Sequence, residues 1–164
     1  MRFEEVKRAD EEAIRALSAL ATAIIREHFD PLIGKAQNDY MLEKFQSVPA
    51  LCRQLEDGYR YFFVCTDEGM RMGFLAFYPK ADTLYLSKFY LKKEWRGKGL
   101  AWEMLRFVRE QARAAGLPSV TLNVNRDNSA VCAYERMGFV RIREEKNDIG
   151  SGFFMDDFVY QYSL

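Results

Sequence analysis

Arg96-Gly97-Lys98-Gly99-Leu100-Ala101 lies between a strand-like run, Thr83–Leu91, and a helix-like run over 98–115, and its reading decides the fold. A glycine-flanked turn that opens a helix leaves several backbone N–H groups without intrahelical partners. At the positive end of the helix dipole, such a cluster is a ready site for a phosphate or diphosphate. Gly97 and Gly99 let the main chain approach an anion with no Cβ in the way, and Arg96 and Lys98 add formal positive charge. The stretch therefore predicts a phosphorylated ligand. It is not a Walker loop, because the GxxxxGK pattern is absent, and it lacks the three-glycine dinucleotide fingerprint.

Outward from this turn the hydrophobic period alternates between strand and helix. Leu100, Ala101, Met104, Leu105, Val108 and Ala112 form one helical stripe that ends at Gly116, before Pro118. Upstream, 59–66 and 70–78 read as strands joined at Asp67-Glu68-Gly69, a hairpin that 79–82 links to the strand before the glycines. Downstream, 119–124 is a strand, and Asp127 or Asn128 caps a short helix that runs to Met137 and stops at Gly138. Two last strands, 139–143 and 153–162, flank Gly150-Ser151-Gly152. At the N-terminus Phe3 and Val6 suit a short strand. Asp10 caps a helix carrying Ile14, Leu17, Leu20, Ala21, Ile24, Ile25 and His28 at helical spacing. Asp30-Pro31 and Gly34 are expected to interrupt it. A second helix then covers 38–46, and a third follows Ser47, with Pro49 in its first turn, as far as Asp57-Gly58. The predicted class is α/β (α+β): a central mixed sheet with helices on its faces.

At 164 residues the chain suits one domain. Hydrophobic residues at 49% and charged residues at 29% are ordinary globular composition, and an aromatic content of 15% predicts an aromatic core or cleft. Twenty-four basic residues balance twenty-four acidic ones, so nucleic acid has no electrostatic claim as the main partner. Cys52, Cys65 and Cys132 lack metal spacing, and His28 is the only histidine, so no metal is expected and the thiols read as reduced and buried. No apolar run approaches the length of a membrane span and the first residues are charged, so a cytoplasmic protein is expected.

Three pieces fall in a row: the strand ending Lys88-Phe89-Tyr90-Leu91, the glycine turn, and Asn125-Arg126-Asp127-Asn128-Ser129-Ala130 leading to Tyr134. Here the sequence resembles the GNAT superfamily of N-acetyltransferases. Arg96, Gly99 and Ala101 match that family's (Arg/Gln)-x-x-Gly-x-(Gly/Ala) pattern, and the block from Asn128 to Phe139, with Tyr-Glu-Arg-Met-Gly-Phe, matches its later motif. The specific motifs lie in 83–140.

The resemblance implies acetyl-CoA as co-substrate and the acyl-CoA N-acyltransferase fold, with a mostly antiparallel mixed sheet. The amides of Arg96, Gly97, Lys98, Gly99, Leu100 and Ala101 would cradle the diphosphate. Backbone groups of Phe89, Tyr90 and Leu91 would pair with the pantetheine arm as an added strand does. Asn128 and Ala130 would line that arm from the far wall, and Tyr134 would be the general acid. The reaction implied is direct attack by a primary amine on the thioester within a ternary complex. A phenol of pKa about 10 can protonate a departing thiolate of pKa about 8.5 with little mismatch.

Each residue also has a plainer reading. Tyr134 can anchor a core, Asn128 can act only as a cap, and Arg96 and Lys98 can be solvated charges. Asp156-Asp157 reads as a solvated strand end. Together with Asp39-Tyr40 and Glu43, however, that acidic pair suits a cationic acceptor such as a polyamine, and the 30–34 and 152–157 stretches are similar to spermidine/spermine-type bacterial members. Two other functions stay open: acetylation of a protein N-terminus or lysine, and a catalytically silent CoA-binding sensor module. Family members are often dimers, so a homodimer is a candidate assembly.

Overall fold

A computed structural model describes residues 1–164. In chain order it contains strand β1 (Arg2–Val6) and helices α1 (Glu11–Ile33), α2 (Lys35–Gln46) and α3 (Val48–Glu56). Strands β2 (Arg60–Cys65), β3 (Arg71–Lys80) and β4 (Thr83–Leu91) follow, then a 3-10 turn at Lys93–Trp95. Helix α4 (Leu100–Ala114), β5 (Ser119–Asn125), α5 (Ala130–Arg136), β6 (Val140–Gly150) and β7 (Phe153–Ser163) complete the chain. The strands neighbour one another in the order β1-β2-β3-β4-β5-β7-β6. By contacts the chain falls into two compact units: Met1–Tyr78 with Lys88–Lys98, and Pro79–Ser87 with Gly99–Leu164. Strand β4 contributes to both.

In the first unit β1, β2 and β3 are antiparallel, with Glu4 opposite Phe63 and Phe62 opposite Leu75. The core beside them gathers Val6, Ile14, Leu17, Ala21, Leu51, Tyr61, Phe63 and Phe74. Helix α1 buries the apolar stripe its spacing predicts, and the Asp10 carboxylate caps it by accepting from the Ala13 N–H. Pro31, expected as a breaker, lies inside α1. The proline removes one hydrogen bond, yet the final turn still closes through the Gly34 N–H on the Asp30 carbonyl. Gly34, at φ 87°, makes the break instead. Its carbonyl accepts the Asn38 N–H, so α2 starts at Lys35, three residues before the expected boundary. Ser47 caps α3, its Oγ 3.3 Å from the Ala50 N. Ser47→Ala is expected to cost about 1 kcal/mol and to lower Tm by about 2–4 °C, read by thermal denaturation.

In the second unit β4 and β5 run parallel, pairing Leu84 with Val120 and Tyr85 with Thr121 near the start of both strands. Helix α4 lies against β5 and buries Met104, Leu105, Val108 and Ala112. It begins at Leu100 rather than at Lys98 and ends in a Schellman motif. There Leu117 N–H bonds to the Ala112 carbonyl and Gly116 N–H to that of Arg113. The β6–β7 hairpin is much longer than 139–143 and 153–162 suggest. Glu144 to Asp148 have weak strand propensity, but pairing against β7 holds them extended, with Lys146 opposite Asp156. Ser151 and Gly152 both have positive φ, 53° and 78°, the type I′ geometry that matches strand twist. The thiols depart from expectation: Cys65 is buried, Cys52 is half-buried and Cys132 is exposed.

Candidate functional site

The glycine turn is built from its backbone. Gly97 and Gly99 have φ 74° and 78°, a region costly for any residue with a Cβ. Gly99 is the N-cap of α4 and has no side chain to satisfy the first-turn N–H groups; that of Trp102 turns back to the Gly99 carbonyl at 3.3 Å, and no side chain caps those of Leu100 and Ala101. A Cβ at either glycine would meet no protein atom within 4 Å. Packing therefore does not demand these glycines. The left-handed backbone does, and the open space in front of it suits an anion. Arg96 does not reach into that space freely: its Nε donates to the Leu91 carbonyl at 3.0 Å and its guanidinium lies 3.9 Å from Glu27. The residue ties the turn to the end of β4, while Gly97, Lys98 and Gly99 stay exposed.

In the first unit the end of β4 is held by its neighbour β3. Lys92 N–H donates to the Met72 carbonyl at 2.8 Å, and a Cβ on Gly73 would collide with the Tyr90 carbonyl oxygen. Gly73 is what lets the two backbones meet so closely. A glycine inside a strand pattern is the sequence signal for such an approach. The Tyr90 ring packs on Phe74 at 5.5 Å and on Phe29 at 6.1 Å. Phe89, Tyr90, Leu91 and Arg96 are thus brought together. Next to them, burial pulls the Lys88 ammonium down to about 8. Asp39, an expected acceptor carboxylate, is held below the usual range by Lys35 and Arg26, so its charge is already balanced.

In the second unit Asn128 is buried, and its Oδ1 accepts the Ala130 N–H at 2.9 Å. Ser129 precedes the first turn of α5 but makes no side-chain cap, so Asn128 does the capping from one residue further back. Tyr134 sits three residues before the C-cap Met137. The Phe139 N–H bonds to its carbonyl and the Gly138 N–H to that of Glu135, a second Schellman motif. The Tyr134 and Phe139 rings meet edge to face at 5.7 Å, the apolar contact that accompanies such an end. The motif Tyr-Glu-Arg-Met-Gly-Phe therefore has a local physical basis: Gly138 turns the chain, and Phe139 fixes the ring of Tyr134. Burial pushes the phenol above its ordinary range, so it stays protonated at neutral pH.

Asp156 and Asp157, expected together as a solvated strand end, separate. Asp156 pairs with Arg126 at 2.9 Å and is well exposed, whereas Asp157 is 3% exposed. The cause is strand alternation, which sends neighbouring side chains to opposite faces. His28 is half-buried, its ring meeting Phe29 edge to face at 4.7 Å.

A glycine-opened helix following one member of a parallel strand pair, in a seven-stranded mixed sheet, is the architecture of an acyl-CoA N-acyltransferase. The acetyltransferase (GNAT) domain family matches residues 29–155, and the chain belongs to it. An uncharacterized N-acetyltransferase of Bacillus subtilis, YdgE, is 37% identical over 97 residues, which cover 52% of this chain and 60% of that protein. The match thus spans less than two thirds of that curated relative. Among solved structures, a PaiA N-acetyltransferase from Thermoplasma acidophilum in complex with coenzyme A is 18% identical, with a TM-score of 0.77 over 100% of both chains. A GCN5-related N-acetyltransferase from Rhodopseudomonas palustris is 16% identical, with a TM-score of 0.80 over 99% of this chain and 95% of that one. At these identities the likeness establishes the fold.

Proposed function

We propose that the chain moves the acetyl group of acetyl-CoA to a primary amine by direct attack in a ternary complex. The observation that carries this reading is the left-handed glycine turn at the head of α4, with open amides and open space where a Cβ would stand. Coenzyme A bound to the Thermoplasma acidophilum relative supports the choice of co-substrate. The amides of 96–101 hold the diphosphate, and the backbone of Phe89, Tyr90 and Leu91 aligns the pantetheine arm. Asn128 and Ala130 line the arm's other side. A main-chain N–H of 89–91 polarises the thioester carbonyl, and the Tyr134 phenol protonates the departing sulfur.

The test is thiol release from acetyl-CoA with a panel of spermidine, simple alkylamines, aminoglycosides and short peptides. Amine-dependent release of CoA is the expected result. Preference for peptides over small amines would assign the chain to protein acetylation. Tight acetyl-CoA binding with no release by any amine would make it a silent CoA-binding module and overturn the proposal.

A further inference from the structure

Asp157 is the one carboxylate that the fold buries. Its only hydrogen bond is a long one, 3.4 Å, from Asn123 Nδ2, and it makes no ion pair. The nearby cations are engaged elsewhere: Arg126 holds Asp156 and Glu144, and Arg143 holds Glu145. Burial holds the Asp157 carboxyl above the usual range, and the charges of Glu145 and Asp156 push it further the same way. A buried carboxylate with no counter-charge is expensive to keep, and such groups concentrate at functional sites.

Its position is specific. Asp157 lies opposite Asn125, the last residue of β5, where the chain leaves the sheet towards Asn128 and the helix bearing Tyr134. The carboxyl ends of parallel strands are where open α/β sheets bind ligands. Asp157 and Asn123 share one face of β7 and β5. Tyr160 and Tyr162 point the other way, the first donating to Glu135 at 2.7 Å and the second packing on Phe139. The carboxylate and the helix of Tyr134 therefore lie on opposite faces of the β5–β7 pair, Tyr160 and Tyr162 standing opposite Leu122 and Val120 while Asp157 stands opposite the last residue of β5.

We infer that Asp157 supplies the missing counter-charge for the acceptor: it binds the primary ammonium group and accepts its first proton. This rests on the amine acetyltransferase reading above. The freed amine attacks the thioester carbonyl carbon, forming C–N as C–S breaks. Tyr134 gives its proton to the sulfur, the second proton leaving nitrogen restores the phenol, and Asp157 releases the first to solvent. The sum converts ammonium and thioester into amide, thiol and one free proton.

The experiment compares wild type, Asp157→Asn and Asp157→Glu, with the best amine from the panel above. Asp157→Asn is expected to lower kcat/KM for the amine about 100-fold at neutral pH, with acetyl-CoA affinity unchanged and Asp157→Glu recovering part of the loss. As pH rises, more of the amine is already neutral. The deficit of the Asn variant should therefore shrink about tenfold per pH unit towards the amine pKa of about 10.4. Stability gives a second readout. A carboxyl held above its unfolded value binds protons better in the folded state, so wild-type stability falls as pH rises through that window and stays reduced above it. The Asn variant escapes this loss and is expected to melt at or above wild type near about pH 8. An Asn variant with wild-type kcat/KM, or one that melts lower in step with its lost activity, overturns the inference alone. A wild type that releases no CoA with any amine overturns the amine reading, and this inference with it.

Discussion

Tyr134→Phe is expected to lower kcat by about 100-fold or more while acetyl-CoA affinity changes by about twofold at most. The substitution removes one oxygen and keeps the ring that packs on Phe139, so the end of α5 keeps its contact. What is lost is a proton held ready at neutral pH by a buried phenol. Without it the sulfur must leave as a thiolate or draw on water. Steady-state kinetics with an amine in excess, set beside direct titration of acetyl-CoA, separates the two effects. Parallel losses in kcat and affinity would make Tyr134 a packing residue, and no loss would remove it from the reaction.

Gly73→Ala should produce the other large effect, and it acts on the backbone. The added methyl group would fall on the Tyr90 carbonyl oxygen and crowd Leu91, so β3 and β4 must separate there. Overpacking of this kind costs about 1–3 kcal/mol, a fall in Tm of about 2–4 °C for each kcal/mol. Acetyl-CoA affinity should fall as well, because the displaced residues are those proposed to pair with pantetheine. A Gly73→Ala protein with wild-type Tm and affinity would show that this end of β4 is not fixed as described.

The sequence made the site's local devices legible and left its long-range ones hidden. The αL glycines, the Asn128 cap and the turn at Gly138 are short-range backbone chemistry, readable from residue type and spacing. Thr83–Leu91 was equally readable because its strand pattern is bounded by turn residues. Pro31 misled because helix propensity yields near a C-terminus, where few hydrogen bonds remain to be broken. Residues 144–149 were missed as strand because their charges argue for a loop, and only the partner β7 compensates. Gly73 and Asp157 draw their importance from the strand opposite. For Asp157 the deciding facts are burial and the engagement of Arg126 and Arg143 by other acids, and no linear pattern carries these.

A crystal structure with bound coenzyme A would test the central proposition most directly. The expected result places the diphosphate oxygens within hydrogen-bond distance of main-chain N–H groups in 97–101, with the cofactor sulfur beside the Tyr134 hydroxyl. Coenzyme A bound elsewhere, or a phenol turned away from the sulfur, would contradict it.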